Sequence, residues 1–401
     1  MGSLKNMTYC CFVISIVAGP CYHLFGYNLS ALLLIIIVFF MKKRTIKKAA
    51  FMSLILFIIF MLAKSFIIEN YIPYSNYFGF KAFLFTVLQT IIIAFLLMII
   101  KDECQFSKSI VKVFLGIFHL SIIISTIILN IHGKNLYRIK SSIGGIWLAP
   151  QNFIIISIFM GMFLTYCILN NRHHRLKRFI LLIINLFYLI SASYTTQLLF
   201  FIFGIILVVF FTYIKKFSYQ VIVISVIITL SFIFKNYLSM ILNFINEIFF
   251  SNNTSIYSRI NEIIYLISAN DMSGSDFSAR SNLILISFNT FKNNPIFGVK
   301  FNNYNSLSGL TIGSHSQWTD DIARFGIIGS LLWIFLLINC IKSILSCAPT
   351  WTSLKKAMLT IFIIYGYFNP IISGSFLMLI FIFINMEAFE IKNNLGGIKN
   401  E

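Results

Sequence analysis

What most constrains this chain is a series of apolar runs that recurs from end to end, each bounded by polar or cationic residues. They lie at about 9–25, 27–41, 49–69, 78–100, 109–130, 150–169, 178–192, 196–214, 218–236, 324–341, 355–372 and 373–390. Most are close to the ~20 residues a helix needs to cross a hydrocarbon core of about 30 Å. Only 11% of the residues are charged, against about 25% in soluble domains. The pattern predicts an all-α, polytopic helical membrane protein of about 12 transmembrane helices.

A net charge of +19 would suggest nucleic acid as the partner of a soluble chain. Here the cations gather between apolar runs, as in Lys42–Lys48 (KKRTIKK) and Arg172–Arg178. The positive-inside rule therefore places those loops, and both termini, in the cytoplasm. With that frame 19 of the 31 Lys and Arg are cytoplasmic, and the inner (cytoplasmic) membrane is the expected location. Anionic inner-leaflet lipids are the expected neighbours, and no nucleic-acid partner is expected. The short exoplasmic loops hold three cations, all in one loop: Lys134, Arg138 and Lys140. The seven cysteines show no CxxC or Cys/His spacing, which predicts neither disulfide nor metal site; no cofactor is expected.

This frame divides the chain into a bundle over 1–236, a large late exoplasmic loop over 237–323, and closing spans with a cytoplasmic tail over 324–401. The loop is not featureless. Residues 255–268 put Ile256, Ile260, Ile263, Ile264 and Ile267 at helical spacing. Residues 281–291 do the same with Leu283, Ile284, Phe288 and Phe291, and Asn294-Pro295 stops that helix. Two short amphipathic helices are predicted, forming a folded lid.

Most of the residues with chemistry to offer fall in or beside this loop. His315 precedes a helix start that Ser314 or Ser316 can cap. A neutral imidazole there can take a proton from a hydroxyl near pH 7, although a plain polar residue at a helix cap accounts for it too. Asp320 and Asp321 lie four and three residues before Arg324, a spacing for ion pairs on one helix face. Their expected role is structural, holding Arg324 or His315 in place. Arg280 is expected to begin its helix, where a cation opposes the helix dipole, so phosphate binding explains it better than helix stability does. Together with Arg138, Lys140 and Arg324 it can form a diphosphate clamp. Tyr257, Tyr304, Trp147 and Trp318 can stack on sugar rings, or simply belong to an interfacial aromatic belt. Lys64 sits near the exoplasmic end of its span and can face a cavity. No nucleotide loop or HExxH motif occurs.

The order Arg280, then NPIFG (Asn294–Gly298), then SHS (Ser314–Ser316), then RFGIIG (Arg324–Gly329) leading into a span resembles the O-antigen polymerase and ligase superfamily. RIKSSIGGIWLAPQNF (Arg138–Phe153) resembles that family's exoplasmic arginine segment, with Gln151 inserted between Pro150 and Asn152. The hairpin Ser193-Tyr194-Thr195 lacks the arginine that many members carry there. The resemblance implies a polyprenyl-diphosphate-linked oligosaccharide as substrate, with transfer of one glycan from its lipid diphosphate to a sugar hydroxyl of another. It implies Arg280 and His315 as catalytic residues, and Arg138, Lys140, Arg324, Tyr304 and Trp318 as substrate contacts. Pro295, Gly298, Asp320 and Asp321 would be structural. The product would be O-antigen or capsule, with a flippase and a chain-length regulator as pathway partners. An O-antigen ligase acting on lipid A-core is the alternative within the family. A flippase or other transporter is the alternative outside it, disfavoured by the absence of an internal repeat.

Overall fold

The computed structural model describes residues 48–64, 108–131, 152–170, 174–192, 195–233, 235–251, 276–299, 315–345 and 352–371, with isolated positions within 32–36, 257–264 and 304–313. Among them are ten helices and one pair of two-residue strands. The helices are α1 (Lys48–Lys64), α2 (Lys108–Ile131), α3 (Asn152–Asn170), α4 (Arg175–Ser191), α5 (Thr195–Tyr213), α6 (Phe217–Ile233), α7 (Lys235–Phe250), α8 (Asp276–Asn293), α9 (Gln317–Leu345) and α10 (Thr352–Phe368). Between α8 and α9, β1 (Tyr304–Asn305) pairs antiparallel with β2 (Gly309–Leu310).

Among the described helices, α3 is the centre. Its sequence carries no charge, and Phe153, Ile156, Phe159, Met162 and Leu164 are buried on different faces of it. A helix apolar all round is stable in such a position, because every face finds a partner. Helices α4, α5 and α10 supply them, with α2 against α4, α10 against α5, and both α1 and α8 against α9. Several hydroxyls within these helices are satisfied locally: Ser125 donates to the Ser121 carbonyl (2.8 Å), Thr165 to Gly161 (2.8 Å) and Thr212 to Val208 (2.7 Å). Such bonds to the preceding turn let Ser and Thr sit in an apolar helix without an orphaned polar atom. Four helical stretches, Val113–Ile131, Phe153–Asn170, Thr196–Tyr213 and Gln317–Lys342, are long and apolar enough to cross a membrane.

Side-chain bonds fix the helix directions. At one end Asn130 of α2 meets Ser191 of α4, Gln197 of α5 meets the Tyr365 hydroxyl of α10, and Gln317 of α9 meets the Ile371 N–H beyond α10. At the other end Arg178 of α4 reaches the Cys167 carbonyl of α3, and Thr212 of α5 reaches Ser353 of α10. Helix α1 runs antiparallel to α9, with Phe57 against Trp333 and Lys64 against Arg324.

Helices α2, α3, α4, α5 and α10 coincide with predicted apolar runs to within a few residues. The runs at 9–25, 27–41, 78–100 and 373–390 lie wholly or mainly outside the described residues. Three expectations need correction. Residues 235–250, expected in a polar loop, form α7. Helix α9 starts at Gln317 rather than near 324, so the boundary drawn there falls within a helix. Its first two turns are polar yet buried against neighbours, which apolar periodicity cannot see. Finally, α8 starts at Asp276, placing Arg280 in the second turn rather than at the helix start. Its best-buried described residue is Ser287, whereas Phe288 is exposed with the Lys292 ammonium 4.8 Å from its ring centre. In the stretch 255–268, Ile260 and Ile264 are buried against Ile190 of α4 and Leu242 of α7, as an amphipathic face requires.

Candidate functional site

The site is built around a break in α9. Gly326 has φ 62° and ψ −169°, which is not helical and is open only to glycine. A break here removes two helical bonds, Ile327 N–H to the Ala323 carbonyl and Ile328 N–H to the Arg324 carbonyl. All four freed groups find new partners. The turn Asn294–Val299, which follows α8, docks alongside: Ile327 N–H donates to the Pro295 carbonyl (2.7 Å) and Ile328 N–H to the Ile296 carbonyl (3.2 Å), while Val299 N–H donates to the Ala323 carbonyl (3.0 Å). The fourth group, the Arg324 carbonyl, accepts from the Lys64 ammonium of α1. Backbone irregularity inside an apolar bundle is tolerable only with such replacement.

Sequence explains why this turn fits. Pro295 ends α8, and Gly298 (φ 70°) closes the turn by donating its N–H to the Asn294 carbonyl (3.1 Å). A side chain at Gly298 would overlap the Arg324 carbonyl, and one at Gly326 would overlap Gly298 N and the Ile296 carbonyl. The two glycines therefore let two backbones touch.

The two carboxylates ahead of the break are both buried and take different partners. Asp320 accepts from the Ser287 hydroxyl of α8 (2.6 Å) and from the Ser316 N–H (3.3 Å), while the Ser316 hydroxyl caps the helix by accepting from Thr319 N–H (3.4 Å). Ser287 also accepts from Gly313 N–H (2.9 Å). Asp321 accepts from Gln317 (2.8 Å), from the Trp333 indole (2.9 Å) and from Arg324 (3.4 Å). Its side chain is 3% exposed, against 20% for Arg324, so the guanidinium alone of this pair reaches the surface. Phe57, Phe325 and Trp333 pack beneath as an aromatic floor.

The sequence-predicted residues distribute as follows. His315 is half-buried, directly before the Ser316 cap. Gly313, two residues earlier, lies against the Leu283 carbonyl of α8, one turn from position 280. The backbone positions of Arg280 and His315 thus converge on the end of the bundle that carries Arg324. Position 280 also lies two turns from Ser287 on the same helix face. Trp318 donates its indole N–H to the Ile363 carbonyl (2.8 Å) and packs on Phe362, tying α9 to α10. Tyr304 is in β1. Arg138, Lys140, Trp147 and Ser314 lie outside the described residues.

Four participants escaped the sequence reading: Ser287, Gln317, Trp333 and the Lys64 contact. A lysine within an apolar run was the one available signal. A further buried pair, His119 and Asn185 (3.1 Å), joins α2 to α4 within the bundle. Among the described residues no group of three or more His, Cys, Asp or Glu can hold a metal ion. Comparison with models of known protein families finds no match, and comparison with curated proteins finds none.

Proposed function

We propose that this protein is a membrane glycosyltransferase that polymerises polyprenyl-diphosphate-linked oligosaccharide repeats into a surface polysaccharide. The observation that carries the reading is the docking of the NPIFG turn into the break of α9. It joins two motifs that are dispersed in sequence and holds the backbone that carries Arg324, while Gly313 against α8 brings the approach to His315 to the same end of the bundle.

The chemistry asked of these residues is modest. The bond from the donor sugar's anomeric carbon to the diphosphate breaks, and polyprenyl diphosphate leaves with the electron pair. The acceptor hydroxyl bonds to that carbon and gives up its proton. His315 receives the proton. Arg280, with Arg138 or Lys140, stabilises the diphosphate as its charge develops. Arg324, steadied by Asp321, serves the diphosphate or orients the acceptor.

Orientation supports the assignment. Arg175, Lys177, Arg178, Lys215, Lys216, Lys355 and Lys356 all cluster at the bundle end opposite the site. The positive-inside rule puts that end in the cytoplasm, leaving the site on the exoplasmic face where flipped lipid-linked repeats arrive.

The test is the surface-glycan ladder of a deletion strain complemented with wild type, His315→Ala or Arg280→Ala at matched expression. Wild type is expected to restore the ladder and both variants to give single repeats. A full ladder from the variants would reduce these residues to helix-end fittings.

A further inference from the structure

We propose that Lys64 is a positioning residue of the site: its ammonium replaces the helical hydrogen bond that the break at Gly326 takes from the Arg324 carbonyl, and so holds the turn that presents the Arg324 guanidinium. The inference rests on the functional reading above for its consequence, but not for its geometry.

Lys64 is the last residue of α1, a helix otherwise apolar from Ala49 to Ala63 apart from Ser53. It is only 4% exposed. A lysine near a membrane surface ordinarily extends its ammonium to water. This one turns inward and spends a donor on a main-chain carbonyl 260 positions away. That carbonyl belongs to Arg324, so the bond acts on the peptide unit from which the guanidinium hangs.

Of the four groups released by the break, three are rejoined by the turn Asn294–Val299 and this one by α1. Removing the ammonium leaves a part-buried carbonyl without that donor, and the segment Ala323–Ile328 keeps the Phe57–Phe325 packing but loses this polar tie to α1. Asp321 pairs with the Arg324 guanidinium (3.4 Å), so the side chain and the carbonyl of Arg324 are each held by a partner.

The positioning role separates from plain packing in Lys64→Met. Methionine preserves length and suits an apolar helix, but donates nothing. Hydrogen exchange of the purified full-length protein in detergent reads the pin directly, without reference to activity. Amides of residues 296–299 and 323–328 are expected to exchange about tenfold faster or more in Lys64→Met. Those of α3 and α5 should be unchanged, which shows that the bundle is folded. Lys64→Arg, which returns a charged donor, should move exchange back toward wild type. Unchanged exchange in Lys64→Met, or equal acceleration in both variants, overturns the pin. The same variants in the ladder assay read the consequence: Lys64→Met is expected to shorten or abolish the ladder, and Lys64→Arg to recover it in part. A full ladder from Lys64→Met despite faster exchange overturns the positioning role. If wild type itself makes no ladder, the polymerase reading fails while exchange still decides whether Lys64 holds the break.

Discussion

Ser287 shows how much one small side chain decides here. Its hydroxyl donates to Asp320 and accepts from Gly313 N–H, so it ties α8, the approach to His315 and the first turn of α9 together. Ser287→Ala leaves a buried carboxylate and a buried N–H each short of a partner. It is expected to cost about 2 kcal/mol, read as a lower melting temperature of the purified protein. Asp321→Ala removes an acceptor from Gln317, Trp333 and Arg324 together. It is expected to cost roughly 3 kcal/mol, discounted from the value for a fully buried pair because Arg324 is partly exposed. Asp321→Asn, which keeps an acceptor, should be milder on the same assay. Spacing offers both Asp320 and Asp321 to Arg324; Asp321 pairs with it, whereas Asp320 is bonded to the Ser287 hydroxyl and the Ser316 N–H. The partners of Ser287 and Lys64 are not legible from spacing. They lie 26 to 260 positions distant, and nothing in a single sequence encodes which distant carbonyl or carboxylate will be short of a donor.

At the scale of elements, the defining device is the broken α9 with its docked turn. The stop at Asn294-Pro295 is legible in the sequence, but the helix start at Gln317 is not, and RFGIIG has the pattern of ordinary helix. Glycine within a helix costs only about 1 kcal/mol relative to alanine, so its presence does not announce a break. What makes the break is the opposing backbone at Gly298, a contact without side chains and therefore without a compositional signature. The amphipathic pattern of α8 misled for a related reason. Its partner surface is a carboxylate and a main chain, so a serine is buried where a leucine was expected. Gly326→Ala and Gly298→Ala should each abolish the docking, since each new methyl group falls on the other strand of the contact. Because both act on one contact, the double variant should be little worse than either single one. Hydrogen-exchange protection of residues 296–299 is the measurement, and additive losses would argue against mutual docking.

For the whole molecule, the alternation of helices and the cluster of cations at the end opposite the site underlie the proposed orientation. The apolar runs made the helical bundle legible, because hydrocarbon demands helices with every main-chain group satisfied. They could not show that α3 is central, which depends on long-range packing rather than on hydropathy. The frame makes a labelling prediction. Asn282 is exposed on α8 at the site end, and Asn282→Cys should react with a membrane-impermeant maleimide in intact cells. Lys356 is exposed at the cationic end, and Lys356→Cys should react only after lysis. The reverse pattern would invert the orientation and remove the exoplasmic site.

The central claim is catalysis, and reconstitution tests it most directly. The purified full-length chain would be placed in proteoliposomes with polyprenyl-diphosphate-linked repeats on the outer face and no nucleotide sugar. Oligomers of two and more repeats should appear on the lipid, polyprenyl diphosphate should be released in step with each bond formed, and His315→Ala should yield neither. Repeats that remain single in the presence of folded wild-type protein, whether or not they cross the bilayer, would contradict the account.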